Sequence, residues 1–234
     1  MQRELAVDTN DGSKIYGTLN SKSDSDRLVI LVHGLSDSRN HRIVFNAHKF
    51  LVERGFDTYR PGLYSMEDGA RSLEECSIGT FVEDLNSVIY NFVDDYEQIF
   101  LGCHSLGFVA LDCDLSDIDG VVLWDPALSL EEERIQSMEH RPDLNAYLIN
   151  RGVSFLIGEQ LKRDWENIND DRLLLNLETP LKVIMAGKND LKNAWEQKLE
   201  KLNQNAEYSV LMAHRMVSPR KMWKRSFSAE QSTG

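Results

Sequence analysis

Residues 28–32 read LVILV and stop at His33-Gly34. Five apolar residues, three of them β-branched, are too few for a helix, and no polar position among them leaves a face for water. Such a segment is a strand covered on both sides, the kind found in parallel sheets between layers of helices. The rest of the chain keeps that rhythm. Residues 42–55 place Ile43, Val44, Ala47, Phe50, Leu51 and Arg54 at helical spacing and end on Gly55, suited to a helix C-cap, before a brief strand FDTYR. Residues 80–96 repeat the helical spacing behind Thr80, with Glu83 three residues on in a capping-box pattern. The strand QIFLGC, an amphipathic helix through LGFVALDCDL, the strands GVVLW and LKVIMAG, a helix near NAWEQKLEKL and the strand EYSVLM follow in turn. Ahead of them, ELAV and KIYGTL are alternating runs separated by the turn-forming DTNDGS, which reads as an antiparallel hairpin. The alternation predicts a mostly parallel sheet with helices on both faces.

One stretch departs from the rhythm. Residues 127–177 give helical fragments, LEEERIQSM, DLNAYLI and GEQLKRDWENI, with VSFLI as the one candidate strand. We read a helical cap insertion over 127–177 within a single domain of residues 1–234, set over the C-terminal edge of the sheet, where open α/β sheets bind their ligands. Its Leu144, Tyr147, Leu148, Phe155, Leu156, Ile157 and Trp165 either line an acyl pocket or pack the insertion onto the core. The net charge of −12 opposes binding to nucleic acid or anionic lipid. Arg215, Arg220, Lys221, Lys224 and Arg225 form a basic patch near the end, read as a solvated helix face. Cys76, Cys103 and Cys113 make no CxxC pair and no zinc-like spacing with histidine, so neither a disulfide framework nor a metal is called for. The N-terminus lacks a basic stretch followed by an apolar one, and no run nears the roughly 18 apolar residues of a membrane span, so a soluble cytoplasmic protein is expected.

Chemistry enters with FLGCHSLG, residues 100–107. Ser105 lies between an apolar strand and a helix, with Gly107 two residues on, where a sharp turn would lift the hydroxyl out of the chain and aim the helix's first N–H groups at a developing oxyanion. These residues resemble the nucleophile elbow of the α/β-hydrolase superfamily, usually G-x-S-x-G and here CHSLG, with Cys103 in place of the first glycine. The resemblance runs from LVHGLSDSR through GCHSLG to TPLKVIMAGKNDL and the last histidine, and is nearest to the serine aminopeptidase, monoacylglycerol lipase and feruloyl esterase branches. It implies an α/β-hydrolase fold without cofactor, with an oxyanion loop at His33, Gly34 and Leu35, and with the Leu35 and Leu106 N–H groups as the two donors.

A serine hydroxyl needs a base. Of the six histidines, His214 in MAHRM follows the last strand, where the resemblance places the catalytic histidine. Asp190 in GKND follows the strand before it and supplies the acid, in the order Ser105, Asp190, His214 expected of this fold. Asp125 in LWDP is a rival acid, or else accepts backbone N–H bonds in the turn at Pro126. The implied activity is hydrolysis of a small-molecule ester or thioester through an acyl-enzyme. The same residues serve an acyl-carrier thioesterase, an acyltransferase or a peptidase, and a catalytically silent binder of a small ligand or partner protein is the reading from a different class. The sequence leaves oligomeric state open.

Overall fold

A computed structural model describes residues 1–21, 25–128, 137–150, 153–175, 177–203 and 205–211. Among them β1 (Gln2–Asp8), β2 (Lys14–Asn20), β3 (Arg27–Val32), β4 (Asp57–Gly62), β5 (Gln98–His104), β6 (Gly120–Trp124), β10 (Leu181–Ala186) and β11 (Glu207–Leu211) form one sheet in the order β1-β2-β4-β3-β5-β6-β10-β11. The hairpin strands β1 and β2 are antiparallel to each other and β2 to β4, and every pairing from β4 to β11 is parallel.

The sequence LVILV explains the layering. Leu28, Ile30 and Val32 point into a core closed by α2 (Ile78–Tyr90) and by Trp195 and Leu199 of α5 (Lys192–Leu202). Val29 and Leu31 point the other way, against Val44, Ala47, Phe50 and Leu51 of α1 (Arg42–Val52). Each such side chain, removed fully from water on either face, contributes about 1.5–3 kcal/mol. Helices thus cover both sides, as the apolar run requires.

Local details differ from the sequence reading. Helix α2 begins at Ile78 and ends at Tyr90, and its cap is Ser77 rather than Thr80. Ser77 Oγ accepts the Thr80 N–H at 2.9 Å while Thr80 Oγ1 accepts the Ser77 N–H at 2.8 Å, so the threonine fills the reciprocal position of the box. After Ser105 the chain forms a 3₁₀ helix over Ser105–Asp112. Residues 106–111 are all buried, so the polar face of an amphipathic α-helix is missing.

The insertion is also corrected. In place of a helical cap with one candidate strand, β7 (Glu139–Arg141), β8 (Ala146–Asn150) and β9 (Ser154–Gly158) form a small antiparallel sheet, followed by α3 (Glu159–Asn167) and the short α4 (Asp170–Leu174). Pro142 and Asn145, the latter at φ 50°, turn the chain between β7 and β8 and break the helical reading of DLNAYLI. VSFLI is a strand and GEQLKRDWENI is mostly helix, as expected, while most of LEEERIQSM lies outside the described residues. Ile157 and Trp165 are buried, and the Trp165 indole donates to the Leu128 carbonyl at 3.0 Å, so these two pack the insertion down rather than line an open pocket. No helix of the described residues is long and apolar enough to cross a membrane.

Candidate active site

The parallel strands β3, β5, β6, β10 and β11 all end on one edge, and the candidate residues follow those ends. The register sets Val32 beside Cys103, Cys103 beside Leu123, and Trp124 beside Ile184, so residues just past 32, 104, 124 and 186 emerge together. Ser105 is the first residue after β5. Its φ is 53°, a left-handed conformation that a serine adopts only when its surroundings impose it, at a cost of about 1–3 kcal/mol. The Ala127 N–H donates to the Ser105 carbonyl at 3.1 Å and ties the turn to the chain leaving β6.

Packing supplies the constraint. A Cβ on Gly107 would stand 3.3 Å from Cys103 Cβ, 3.3 Å from Val32 Cγ1 and 3.4 Å from the His33 carbonyl, so the 3₁₀ helix is drawn in against both strand ends. Cys103, standing where a first glycine would, is fully buried and holds its side chain inside this contact. Burial pushes its thiol pKa well up, so it is a packing residue and no rival nucleophile.

The loop after β3 approaches from the other side. A Cβ on Gly34 would come within 2.8 Å of Ser105 Cβ, so only glycine lets this loop lie against the serine. The carbonyl of Gly34 accepts from His33 Nδ1 at 2.9 Å and from the Tyr64 hydroxyl at 3.1 Å. His33 Nε2 accepts the Leu63 N–H at 3.2 Å, which fixes the proton on Nδ1. Burial depresses the pKa of this imidazole, and it stays neutral. His33 is therefore a strut for the loop, with no free nitrogen for proton transfer. Because carbonyl and N–H point opposite ways across a trans peptide, the Leu35 N–H faces away from His33 and Tyr64. His33, Gly34, Leu35, Leu63, Tyr64, Phe81, Leu106, Gly107 and Val109 line a narrow apolar crevice with a free volume of about 10 Å³, which brings the two residues expected to supply oxyanion donors to one place.

The two aspartates differ. Asp125, just past β6, has φ 43° and its Oδ1 accepts the Ala186 N–H at 2.6 Å and the Asn189 side-chain N–H at 3.0 Å. It thereby fastens the end of β6 to the loop after β10, the backbone-accepting role open to it from sequence, although the partner lies across the sheet rather than in the Pro126 turn. Asp190 is on that fastened loop, is exposed, and makes no hydrogen bond or ion pair among the described residues. Strand β11 ends at Leu211, paired with Ala186, and His214 lies outside the described residues, as does the basic patch of residues 215–225. Tyr64 and Asn189 escaped sequence reasoning because each acts through one bond to a residue distant in the chain. A second group also did: Asp37 and His41, four residues apart, meet His104 next to Ser105.

No family model and no curated protein matches the chain. Among solved structures, Est1E of Butyrivibrio proteoclasticus with ferulic acid bound is 14% identical with a TM-score of 0.78, covering 95% of this chain and 97% of its own. The α/β hydrolase GrgF from Penicillium sp. sh18 is 14% identical, TM-score 0.78, over 97% of each chain. The Pyrococcus furiosus esterase Pf2001 is 18% identical, TM-score 0.70, over 97% of this chain and 90% of its own. These likenesses show the fold, the α/β-hydrolase architecture expected from the elbow motif.

Proposed function

We propose that this α/β-hydrolase-fold chain is a serine hydrolase that cleaves a carboxylic ester or thioester. The observation that carries the reading is Ser105 held at φ 53° at the tip of β5, with Gly34 packed against its Cβ. A strained, non-glycine residue at a strand end is kept where the strain serves a purpose, and lifting a hydroxyl clear of the backbone is that purpose.

In the proposed cycle Ser105 Oγ attacks the substrate carbonyl carbon as its proton passes to His214. The carbonyl oxygen, now an anion, is held by the Leu35 and Leu106 N–H groups; each such donor is worth about 3 kcal/mol in the transition state. The strutted Gly34 carbonyl keeps the Leu35 donor from turning, so little reorganisation accompanies the charge. His214 gives its proton to the departing alkoxide or thiolate, leaving an acyl-serine. Water, deprotonated by His214, attacks that ester, and the collapse releases the acid and returns the proton to Ser105 Oγ. Asp190 accepts from His214 and stabilises its cation, while Asp125 holds the loop that carries Asp190. Whether the leaving group is an alcohol, a carrier thiol or an amine is decided outside these residues.

A panel of p-nitrophenyl esters of increasing acyl length, with acyl thioesters and aminoacyl anilides alongside, tests this. The expected result is turnover of esters or thioesters that Ser105→Ala removes. No turnover of any member by folded protein favours the binder of the same fold.

A further inference from the structure

We infer that Asp37, His41 and His104 form a divalent transition-metal site, of the Zn²⁺ type, beside Ser105. Asp37 lies in the loop between β3 and α1, His41 is the N-cap residue of α1, and His104 is the last residue of β5. Asp37 Oδ2 is 3.3 Å from His41 Nδ1 and 3.3 Å from His104 Nδ1. These are not hydrogen bonds. Both Nδ1 atoms are buried and neither has a hydrogen-bond partner, so they reach the neighbourhood of the carboxylate without pointing along the line a shared proton needs.

The spacing suits a metal better. A tetrahedral Zn²⁺ with bonds of about 2.0–2.1 Å holds its ligand atoms about 3.3–3.4 Å apart, the length already present on two edges. All three ligand atoms lie within 4.8 Å of one another, so the third edge, between the two nitrogens, closes by rotation of one ring. The ring centroids are 5.5 Å apart with the planes stacked at 18°, so one ring turns out of the stack for both nitrogens to face a single ion. Two imidazoles and one carboxylate are a borderline donor set, which selects Zn²⁺ over Mg²⁺ or Ca²⁺. Three protein ligands leave a fourth position for water or another small ligand. His33 uses both its ring nitrogens on backbone groups and is not available to the ion.

The location gives the site consequence. A Cβ on Gly34 would meet Ser105 Cβ at 2.8 Å, His104 Nδ1 at 3.2 Å and Asp37 Oδ2 at 3.3 Å, so the ligands and the serine surround one glycine. An ion there would stand at the mouth of the oxyanion loop.

Binding is read without turnover, so the test is independent of the hydrolase reading. Full-length protein is dialysed against Zn²⁺ and its metal content measured, with Co²⁺ added separately for the visible absorption of a four-coordinate ion. The expected result is about one Zn²⁺ per chain and a four-coordinate Co²⁺ band, with affinity falling about 100-fold or more in His41→Ala and in Asp37→Asn. Circular dichroism of the two variants confirms that they fold. Zn²⁺ content equal in wild type and both folded variants, or no Zn²⁺ retained by wild type, overturns the site.

Discussion

On the β3–β5 side of the sheet edge, position is enforced from several directions at once. Gly34 accepts three hydrogen bonds through one carbonyl, from His33, Tyr64 and the Asp37 N–H, His33 uses both ring nitrogens, and Gly107 lies against Cys103, Val32 and His33. On the β10 side the Ala186 and Asn189 bonds to Asp125 tie the loop to β6, the remaining bonds of residues 186–192 stay local or run to β11, and Asp190 is exposed. A nucleophile and its oxyanion donors must be placed to within tenths of an ångström, so they are built from backbone and close packing. A carboxylate that orients an imidazole acts through one side chain and needs only a loop held at the right height. The difference in construction is what the proposed division of labour requires.

The largest effect that sharpens this contrast falls on the proton-transfer pair. Ser105→Ala and His214→Ala are each expected to lower kcat for an active ester by about 10⁴-fold or more, with KM little changed, in steady-state assays. Asp190→Asn is expected to lower kcat by as much as about 10⁴-fold through the wrong imidazole tautomer, leaving thermal stability as it was. The reverse split is expected for Asp125→Ala: a stability loss of about 1–3 kcal/mol by chemical denaturation, because the Ala186 N–H loses its acceptor, with a much smaller change in kcat. If Asp125→Ala silences the enzyme while Asp190→Asn leaves it active, the two roles are exchanged. The smallest effect is a gain. Ser105→Gly relieves the φ of 53° and is expected to raise stability by about 1 kcal/mol, a rise of about 2–4 °C in Tm, while removing activity.

What was legible in the sequence follows the same contrast. LVILV specified a doubly covered strand because an unbroken apolar run has no alternative in water, and FLGCHSLG marked the turn because a strand meeting a helix that closely needs Gly107. Both are local demands. The insertion was misjudged where Leu144 to Ile149 fits helical spacing, since the competing signal was a turn at Pro142 and Asn145 whose strand partners lie up to 12 residues away, Glu139 against Leu148 and Ala146 against Gly158. The roles of Asp125, Tyr64 and Asn189 were hidden for the same reason: each rests on a bond between chain-distant groups, 30 residues apart for Tyr64 and Gly34, 64 for Asn189 and Asp125. The cluster of Asp37, His41 and His104 went unread, because its third member joins the i,i+4 pair only through the pairing of β3 with β5.

The most direct measurement is the intact mass of folded protein after treatment with a fluorophosphonate, followed by peptide mapping. The account predicts a single adduct on Ser105, absent in Ser105→Ala. An unlabelled wild-type protein, or an adduct that persists on another residue when Ser105 is replaced, would contradict it.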